Sequence, residues 1–208
     1  MEDRYPITEA AVNMRFNEII RENDFSTATF GDLAKQLAAT ATTSTDKTSK
    51  DSNPLSVDPN AKARVGNDGS VIIGNQKRSG GTISWRTNNP GNVMYGSFAK
   101  SHGAIGSAKS GDGEPVAIMP TLDHGIKMQM DLWRRPAYNN GTIDQGARRW
   151  AASVGAKKET SPYTMDLAKA AGVNINAKVA DLSDDQLKRM VTAQMRWEGF
   201  KPGTVLQV

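Results

Sequence analysis

Residues 183–199, SDDQLKRMVTAQMRWEG, carry the clearest structural signal in the chain. Ser183 is a typical N-cap, and Gln186, three positions later, completes a capping box. An amphipathic pattern follows until Gly199, a residue type that commonly ends helices. The stretch therefore predicts a capped helix that places Glu198 at its C-terminal end.

Three more helices are predicted between residues 121 and 172. Their start and stop signals are Thr121 and Pro136, then the capping pair Thr142 and Gln145, then Ser161-Pro162 and Gly172. Residues 82–120 form an entrance of loops or short strands before these helices. Four capped helices in so short a stretch predict a mainly α fold for the C-terminal domain.

The N-terminal part divides in two. Residues 1–40 contain two short amphipathic patterns, and neither helix would bury its apolar stripe alone. Residues 41–81 begin with a run rich in Ser, Thr, Asp, Lys and Asn that is typical of a linker, with a possible short hairpin turning at 67–69. We predict a separate helical anchor at 1–40, a flexible linker at 41–81 and a folded domain at 82–208.

The composition excludes several classes of site. Without cysteine there is no disulfide, thiolate nucleophile or thiolate metal ligand, and two histidines are too few for a histidine metal cluster. We therefore expect no metal and no cofactor. No apolar run approaches the roughly 18 residues of a membrane span. The acidic, polar N-terminus also differs from a secretory signal.

Charge is unevenly distributed along the chain. Residues 81–208 hold 16 Lys and Arg against 11 Asp and Glu, whereas residues 1–80 hold 10 against 11. The basic half favours an anionic partner, such as nucleic acid, a lipid surface or a cell-wall polymer, although an ordinary surface has a similar balance. Nucleic acid is disfavoured because the chain lacks a basic helix with interleaved aromatic residues.

Residues 84–93, SWRTNNPGNV, predict a tight turn. Asn89 precedes a proline and is therefore biased toward extended backbone. Pro90 and Gly91 suit the central positions of a type II turn, in which glycine takes a positive φ. The same stretch is also a candidate binding site, because its amide and guanidinium groups suit sugar hydroxyl and acetamido groups.

The turn belongs to the first of several motifs that succeed one another along the chain. They are Arg86-Thr-Asn-Asn-Pro-Gly-Asn-Val, Tyr95-Gly, Val116-Ala-Ile-Met-Pro-Thr-Leu-Asp-His-Gly, Arg149-Trp-Ala, Thr160-Ser-Pro-Tyr and Arg196-Trp-Glu-Gly. Over residues 84–200 the succession resembles a family of bacteriophage virion and phage-like proteins. Several members look like peptidoglycan hydrolases or lysozyme-like transglycosylases, and others are structural proteins. The resemblance implies a lysozyme-like domain, although the segment at 151–160 is lengthened here.

Two carboxylates are candidate catalytic acids for such a reaction. Glycosidic cleavage needs a carboxylic acid that stays protonated near neutral pH. Glu198 lies at a helix C-terminus, which disfavours negative charge, although it could instead pair with Arg196 or Lys201. Glu159 lies at a helix start, where a carboxylate also has a purely structural use.

The candidate substrate-binding residues are those of the turn and two tyrosines: Arg86, Asn88, Asn89, Asn92, Tyr95 and Tyr163. Trp85 is also placed at the groove, whereas Trp133 and Trp150 lie on apolar helix faces and are assigned to the core. Each of these aromatic side chains has core packing as its alternative role.

The resemblance implies a virion component, in the tail or ejected from within the particle, that acts in the host cell envelope. Its partners would be peptidoglycan and, through residues 1–40, other virion proteins. The expected reaction is cleavage of the β-1,4 bond between N-acetylmuramic acid and N-acetylglucosamine, by a lytic transglycosylase or muramidase. The alternative is a non-catalytic structural or ejected virion protein with a wall-binding or vestigial domain.

Overall fold

The computed structural model describes residues 62–153 and 162–208. The predicted helices at 1–40 and the candidate acid Glu159 lie outside these residues. In chain order the described elements are β1 (Arg64–Val65), β2 (Val71–Ile73), β3 (Gln76–Ser79), α1 (Ile83–Arg86), α2 (Ser97–Ser101), β4 (Gly106–Lys109), β5 (Pro115–Ile118), α3 (Leu122–Trp133), α4 (Pro136–Asn139), α5 (Ile143–Ser153), α6 (Pro162–Ala171), a 3-10 turn (Val179–Asp181), α7 (Asp184–Trp197) and β6 (Thr204–Gln207).

Over the described residues the fold is mixed α/β, with 45% helix and 18% strand, so the prediction of a mainly α fold is wrong. An antiparallel sheet has the strand order β1-β2-β3-β6, and β4 pairs with β5 in a second sheet. Strand β6 is exposed along its whole length and β3 is polar, so neither has the alternating apolar pattern that identifies a half-buried strand. The pairing between them joins the two ends of the described chain.

The hairpin expected near Asn67 is present as β1 and β2. Gly69 takes a φ of 74°, and its N–H donates to the carbonyl of Gly66 at 3.0 Å. Strand β3 continues the sheet, so residues 64–79 form strands although the sequence placed them in a linker. They belong to the same compact unit as residues 82–208.

Three of the four predicted helix starts are confirmed by their capping hydrogen bonds, and the fourth N-cap, Ser161, lies outside the described residues. The Thr121 hydroxyl accepts from the N–H of His124 at the start of α3. Gln145 N–H donates to the Thr142 hydroxyl at 3.2 Å, and the Gln145 side chain accepts from Thr142 N–H at 2.9 Å. The capping box predicted for α7 is also complete. These signals identify the helices because each involves groups only a few residues apart.

Buried apolar side chains form three clusters. The first core cluster joins α3, α5, α6 and α7, and its largest fully buried members are Trp133, Ile143, Leu167, Leu187 and Met190. The second core cluster consists of Val93, Ala99, Ala117, Met119 and Met128. The third consists of Val71, Ile73, Ala108 and Ile118, between the two sheets. Trp150, on α5, is partly buried and packs against both the first and the second core cluster.

Candidate active site

The turn at residues 89–92 differs from the predicted type II turn. The N–H of Asn92 donates to the carbonyl of Asn89 at 3.0 Å, which closes the turn. Gly91 does not take a positive φ, so the prediction of a type II turn is wrong. The left-handed residues are instead Asn88, with a φ of 53°, and Asn92, with a φ of 49°.

Close packing against α3, rather than backbone conformation, explains the glycine in this turn. A Cβ atom on Gly91 would lie 2.0 Å from Oε1 of Gln129. The helix approaches the turn just as closely from its own side, because a Cβ on Gly125 would lie 1.9 Å from the carbonyl oxygen of Asn88. Two glycines therefore allow the turn to lie directly against α3.

The amide groups of Asn88 and Asn89 hold the polypeptide backbone. Asn89 is fully buried, and its Nδ2 donates to the carbonyls of Val93 at 2.8 Å and Ala117 at 2.9 Å. Its Oδ1 accepts from the N–H of Val93 at 2.9 Å. Asn88 Nδ2 donates to the carbonyls of Met119 and Pro120, each at 3.2 Å. These contacts attach the turn to β5 and to the start of α3.

Arg86 and Trp85 also have structural contacts. Nη1 of Arg86 donates to the carbonyls of Gly80 at 3.0 Å and Gly81 at 2.8 Å. Trp85 is 4% exposed and lies 4.3 Å from the guanidinium of Arg78, so its predicted position in a groove is wrong. Four of the candidate residues around the turn are thus occupied in building it.

Asn92 is the residue of this turn that reaches the candidate acid. Its side chain lies close enough to the Glu198 carboxyl group to lower the pKa of that group through a hydrogen-bonding interaction. Nε1 of Trp150 donates to Oε1 of Glu198 at 2.7 Å. The turn, α5 and the end of α7 therefore meet at one carboxyl group, which belongs to a partly buried side chain.

The end of α7 fixes the position of Glu198. Glu198 is the C-cap, and Gly199 follows in the left-handed conformation with a φ of 69°. The N–H of Phe200 donates to the carbonyl of Met195 at 3.1 Å, and the N–H of Gly199 donates to that of Arg196 at 3.0 Å. This pair of bonds is a Schellman motif, which directs the chain away from the helix immediately after Glu198.

Burial raises the pKa of Glu198 to about 7. The hydrogen bonds from Trp150 and Asn92 act in the opposite direction, because they stabilise the carboxylate. Removal of the carboxyl group from water is therefore the larger effect. At neutral pH the group is distributed between its protonated and ionised forms, as a general acid requires.

Tyr163 lies beside this carboxyl group. Its side chain is 7% exposed, and its ring packs edge-on against Trp197 with centroids 5.8 Å apart. Burial raises the pKa of the Tyr163 hydroxyl, and the nearby Glu198 raises it further. Gln194 lowers that pKa, but its contact lacks hydrogen-bond geometry: within the described chain, both the Tyr163 hydroxyl and Gln194 Nε2 are buried without a partner.

Two buried glutamines, Gln129 and Gln194, form a hydrogen-bonded pair next to the site. Oε1 of Gln194 accepts from Nε2 of Gln129 at 3.1 Å and from Nε1 of Trp133 at 2.9 Å. Both glutamines are essentially inaccessible to solvent. Gln194 lies one helical turn before Glu198, and Gln129 contacts the turn at Gly91, so this pair connects the two sides of the site.

The structure brings together three of the predicted site residues: Glu198, Asn92 and Tyr163. Tyr95 packs against the second core cluster, as Trp150 does, and the ammonium of Lys100 lies 4.9 Å from its ring centroid. Trp150 was missed as a site residue because a tryptophan on an apolar helix face indicates core packing. Its position in the Arg149-Trp-Ala motif was the available signal.

Residues 62–153 and 162–208 contain no group of three or more His, Cys, Asp or Glu side chains arranged to hold a metal ion. No helix in these ranges combines the length and apolarity needed to cross a bilayer. A scan against models of protein families finds no match to the chain, and a search among curated proteins finds none.

Proposed function

We propose that this protein cleaves the β-1,4 glycosidic bond of peptidoglycan with Glu198 as the general acid. The proposal rests on a buried carboxyl group whose pKa is raised to about 7 and which accepts a hydrogen bond from Trp150 Nε1 at 2.7 Å. Carboxylic acids in such surroundings protonate the leaving oxygen in glycosidic cleavage.

The surroundings of Glu198 favour the transglycosylase route over hydrolysis. Within the described residues, the influences on its pKa are burial, Trp150 and Asn92, and no second carboxylate is among them. A hydrolase generally uses a second carboxylate to activate water or to attack the sugar. A lytic transglycosylase needs one, because a hydroxyl group of the substrate replaces water.

In this route Glu198 both donates and recovers the proton. Glu198 gives its proton to the glycosidic oxygen as the bond to C1 of N-acetylmuramic acid breaks. The C6 hydroxyl oxygen of the same sugar then bonds to C1, and its proton returns to the Glu198 carboxylate. The products are a 1,6-anhydro sugar and a free N-acetylglucosamine end, without consumption of water.

Asn92 and Trp150 stabilise Glu198 in the step in which it is ionised. Both hydrogen bonds favour the carboxylate, so they stabilise Glu198 after it has given up its proton. The Tyr163 hydroxyl, which is buried without a partner in the described part of the chain, is a further group for the substrate or the carboxylate to engage.

The proposed biological setting is a phage virion component that opens the host wall locally during genome entry. Its support is the order of motifs from Arg86 to Gly199. In this setting residues 1–40 dock on other virion proteins, and the folded domain acts in the cell envelope.

Mass spectrometry of the soluble fragments released from purified sacculi tests the proposal. The 208-residue protein is expected to release anhydromuropeptides, and Glu198→Gln is expected to release none while retaining the circular dichroism spectrum of the wild type. Glu114→Gln is the matched control, because Glu114 is exposed in a loop. Glu159→Gln tests the other predicted acid.

Other results of the sacculus experiment would change the proposed reaction or reject it. Reducing-end muropeptides would replace the transglycosylase route with hydrolysis. No release by a folded wild-type protein would reject the enzyme and support a non-catalytic wall-binding or structural protein. Equal release by wild type and Glu198→Gln would remove Glu198 from the reaction.

A further inference from the structure

A row of aromatic and arginine side chains extends from the candidate acid across the surface. We call it the arginine–aromatic strip, and it consists of Phe98, Arg135, Tyr138, Arg149 and Trp150. The Arg135 guanidinium lies 5.1 Å from the Phe98 ring centroid, and that of Arg149 lies 5.8 Å from the Tyr138 ring centroid. The Tyr138 and Trp150 centroids are 6.4 Å apart.

The two arginines of the strip differ from the arginines that precede each of them in sequence. Arg134 pairs with Asp184 at 3.1 Å, and Arg148 pairs with Asp144 at 2.7 Å. Arg135 and Arg149 are exposed, and neither forms an ion pair with a carboxylate in the part of the chain that the structure describes. Two positive charges are therefore available on this surface.

Both guanidinium groups act on the Tyr138 hydroxyl. Partial burial raises the pKa of this hydroxyl, whereas the guanidinium groups of Arg149 and Arg135 lower it. The geometry agrees: Arg135 accepts a backbone hydrogen bond from Tyr138 at 2.9 Å, and Arg149 lies 5.8 Å from the Tyr138 ring centroid, so both arginines adjoin the same tyrosine. Guanidinium groups offer paired N–H donors that match the geometry of a carboxylate.

The strip is continuous with the candidate acid. Trp150 ends the strip, and its Nε1 holds the Glu198 carboxyl group. A ligand that lies over Tyr138 and Trp150 would therefore have its anionic groups beside Arg135 and Arg149 and its other end at Glu198. Aromatic rings at such positions stack against sugar faces, while charged groups select the substituents.

We propose that the arginine–aromatic strip is a subsite for a carboxylate carried on a glycan. This inference rests on the proposed function for the identity of the polymer, peptidoglycan, and adds that its acidic substituents are recognised. The carboxylate has two possible sources in that polymer: the free carboxyl groups of the peptide stems, or the lactyl group of a muramic acid that has lost its stem.

Binding measurements in the Glu198→Gln background test the subsite without any need for cleavage. Titration calorimetry would use three probes: glycan fragments with peptide stems, the same fragments after amidase removal of the stems, and chitotetraose, which has no carboxylate. Arg135→Gln with Arg149→Gln is expected to weaken binding to at least one carboxylate-bearing probe by tenfold or more. Lys62→Gln with Arg64→Gln, two exposed basic residues beside and on strand β1, is the charge-matched control.

The probe that loses affinity identifies the source of the carboxylate. A loss confined to stem-bearing fragments assigns the subsite to stem carboxylates, and a loss confined to amidase-treated fragments assigns it to the lactyl group. Unchanged binding of both probes, or an equal loss for chitotetraose, would overturn the subsite. These results do not depend on catalysis, so failure of wild-type protein to release fragments would reject the enzyme and leave carboxylate binding to be judged separately.

Discussion

At the scale of single residues, two opposing effects act on the Glu198 carboxyl group. Burial favours its protonated form, whereas hydrogen bonds from Trp150 and Asn92 favour the carboxylate. The pKa of about 7 means that burial is the larger effect. The same balance links the chemistry of the site to the stability of the fold.

The free energy of unfolding should therefore depend on pH through Glu198. Below pH 4.5 both folded and unfolded chains hold this proton, and the group imposes no penalty. As pH rises through 7 the folded protein loses roughly 3 kcal/mol relative to that limit, since each unit of pKa shift is worth about 1.4 kcal/mol. Denaturant titrations should show Glu198→Gln gaining that amount on wild type between about pH 4 and pH 8. A difference that does not change with pH would contradict this assignment.

Replacement of Asn92 by glycine should raise the pKa of Glu198 above its wild-type value. Glycine accepts the φ of 49° and removes only the side-chain hydrogen bond that stabilises the carboxylate. The alkaline limb of the pH–rate profile should move to higher pH. Asn88→Gly, at a φ of 53°, removes a different amide and should leave that limb in place.

Replacement of Tyr163 by phenylalanine should separate stability from activity. The hydroxyl is buried without a hydrogen-bond partner in the described chain, so its removal should leave the free energy of unfolding unchanged or raise it by up to about 1 kcal/mol. Release of muropeptides should nevertheless fall if the hydroxyl engages the substrate or the carboxylate. A destabilised variant would show that the hydroxyl already has a partner.

The sequence named Glu198, Asn92 and Tyr163, because helix punctuation and motif order distinguish them from ordinary surface residues. It did not place Trp150 at the site. A tryptophan at the edge of the core has the same sequence pattern as one inside the core. The hydrogen bond from Trp150 Nε1 to Glu198 also depends on where α7 ends, which the sequence around Trp150 does not indicate.

At the scale of elements, the turn at residues 89–92 and α3 form one packed unit. The predicted turn type was wrong because a Pro-Gly pair in a sequence suggests that the glycine takes a positive φ. In the structure Gly91 is needed for another reason, because a side chain there would collide with Gln129. The helix starts were predicted correctly because capping depends on adjacent residues. Close contact between distant elements has no such local signal.

Replacement of Gly91 by alanine should destabilise the protein by about 1–3 kcal/mol, because the added methyl group would lie 2.0 Å from Gln129 Oε1. Gly111→Ala is the matched control, since a Cβ there meets no atom within 4 Å and the glycine has no positive φ. Thermal or denaturant unfolding measures both variants. Equal stability would mean that Gln129 moves aside without cost.

At the scale of the whole molecule, the sequence predicted the hairpin of β1 and β2 but not strands β3 and β6, which extend that sheet and join the two ends of the described chain. Strand β6 is exposed on all its residues, and β3 carries Lys77 and Arg78, so no alternation of apolar residues identifies either strand. Their pairing, which the sequence does not encode locally, and the contact of Val71 and Ile73 with Ala108 and Ile118 make residues 64–79 part of the folded unit.

Amide hydrogen exchange tests this arrangement. Strand β3 lies between β2 and β6, so the amides of Lys77 and Arg78 should exchange orders of magnitude more slowly than those of the exposed loop at residues 111–113. Exchange as fast as that of the loop would restore the linker predicted for residues 41–81.

The most direct test of Glu198 as the general acid is the titration of its own carboxyl group. The side-chain carboxyl carbon of Glu198, assigned by comparison with Glu198→Gln, is followed by NMR from acid to mildly alkaline pH. The midpoint should lie near 7, the value at which one carboxyl group acts as an acid and then accepts the proton back. A midpoint near 4.5, the value for an unperturbed glutamate, would contradict it.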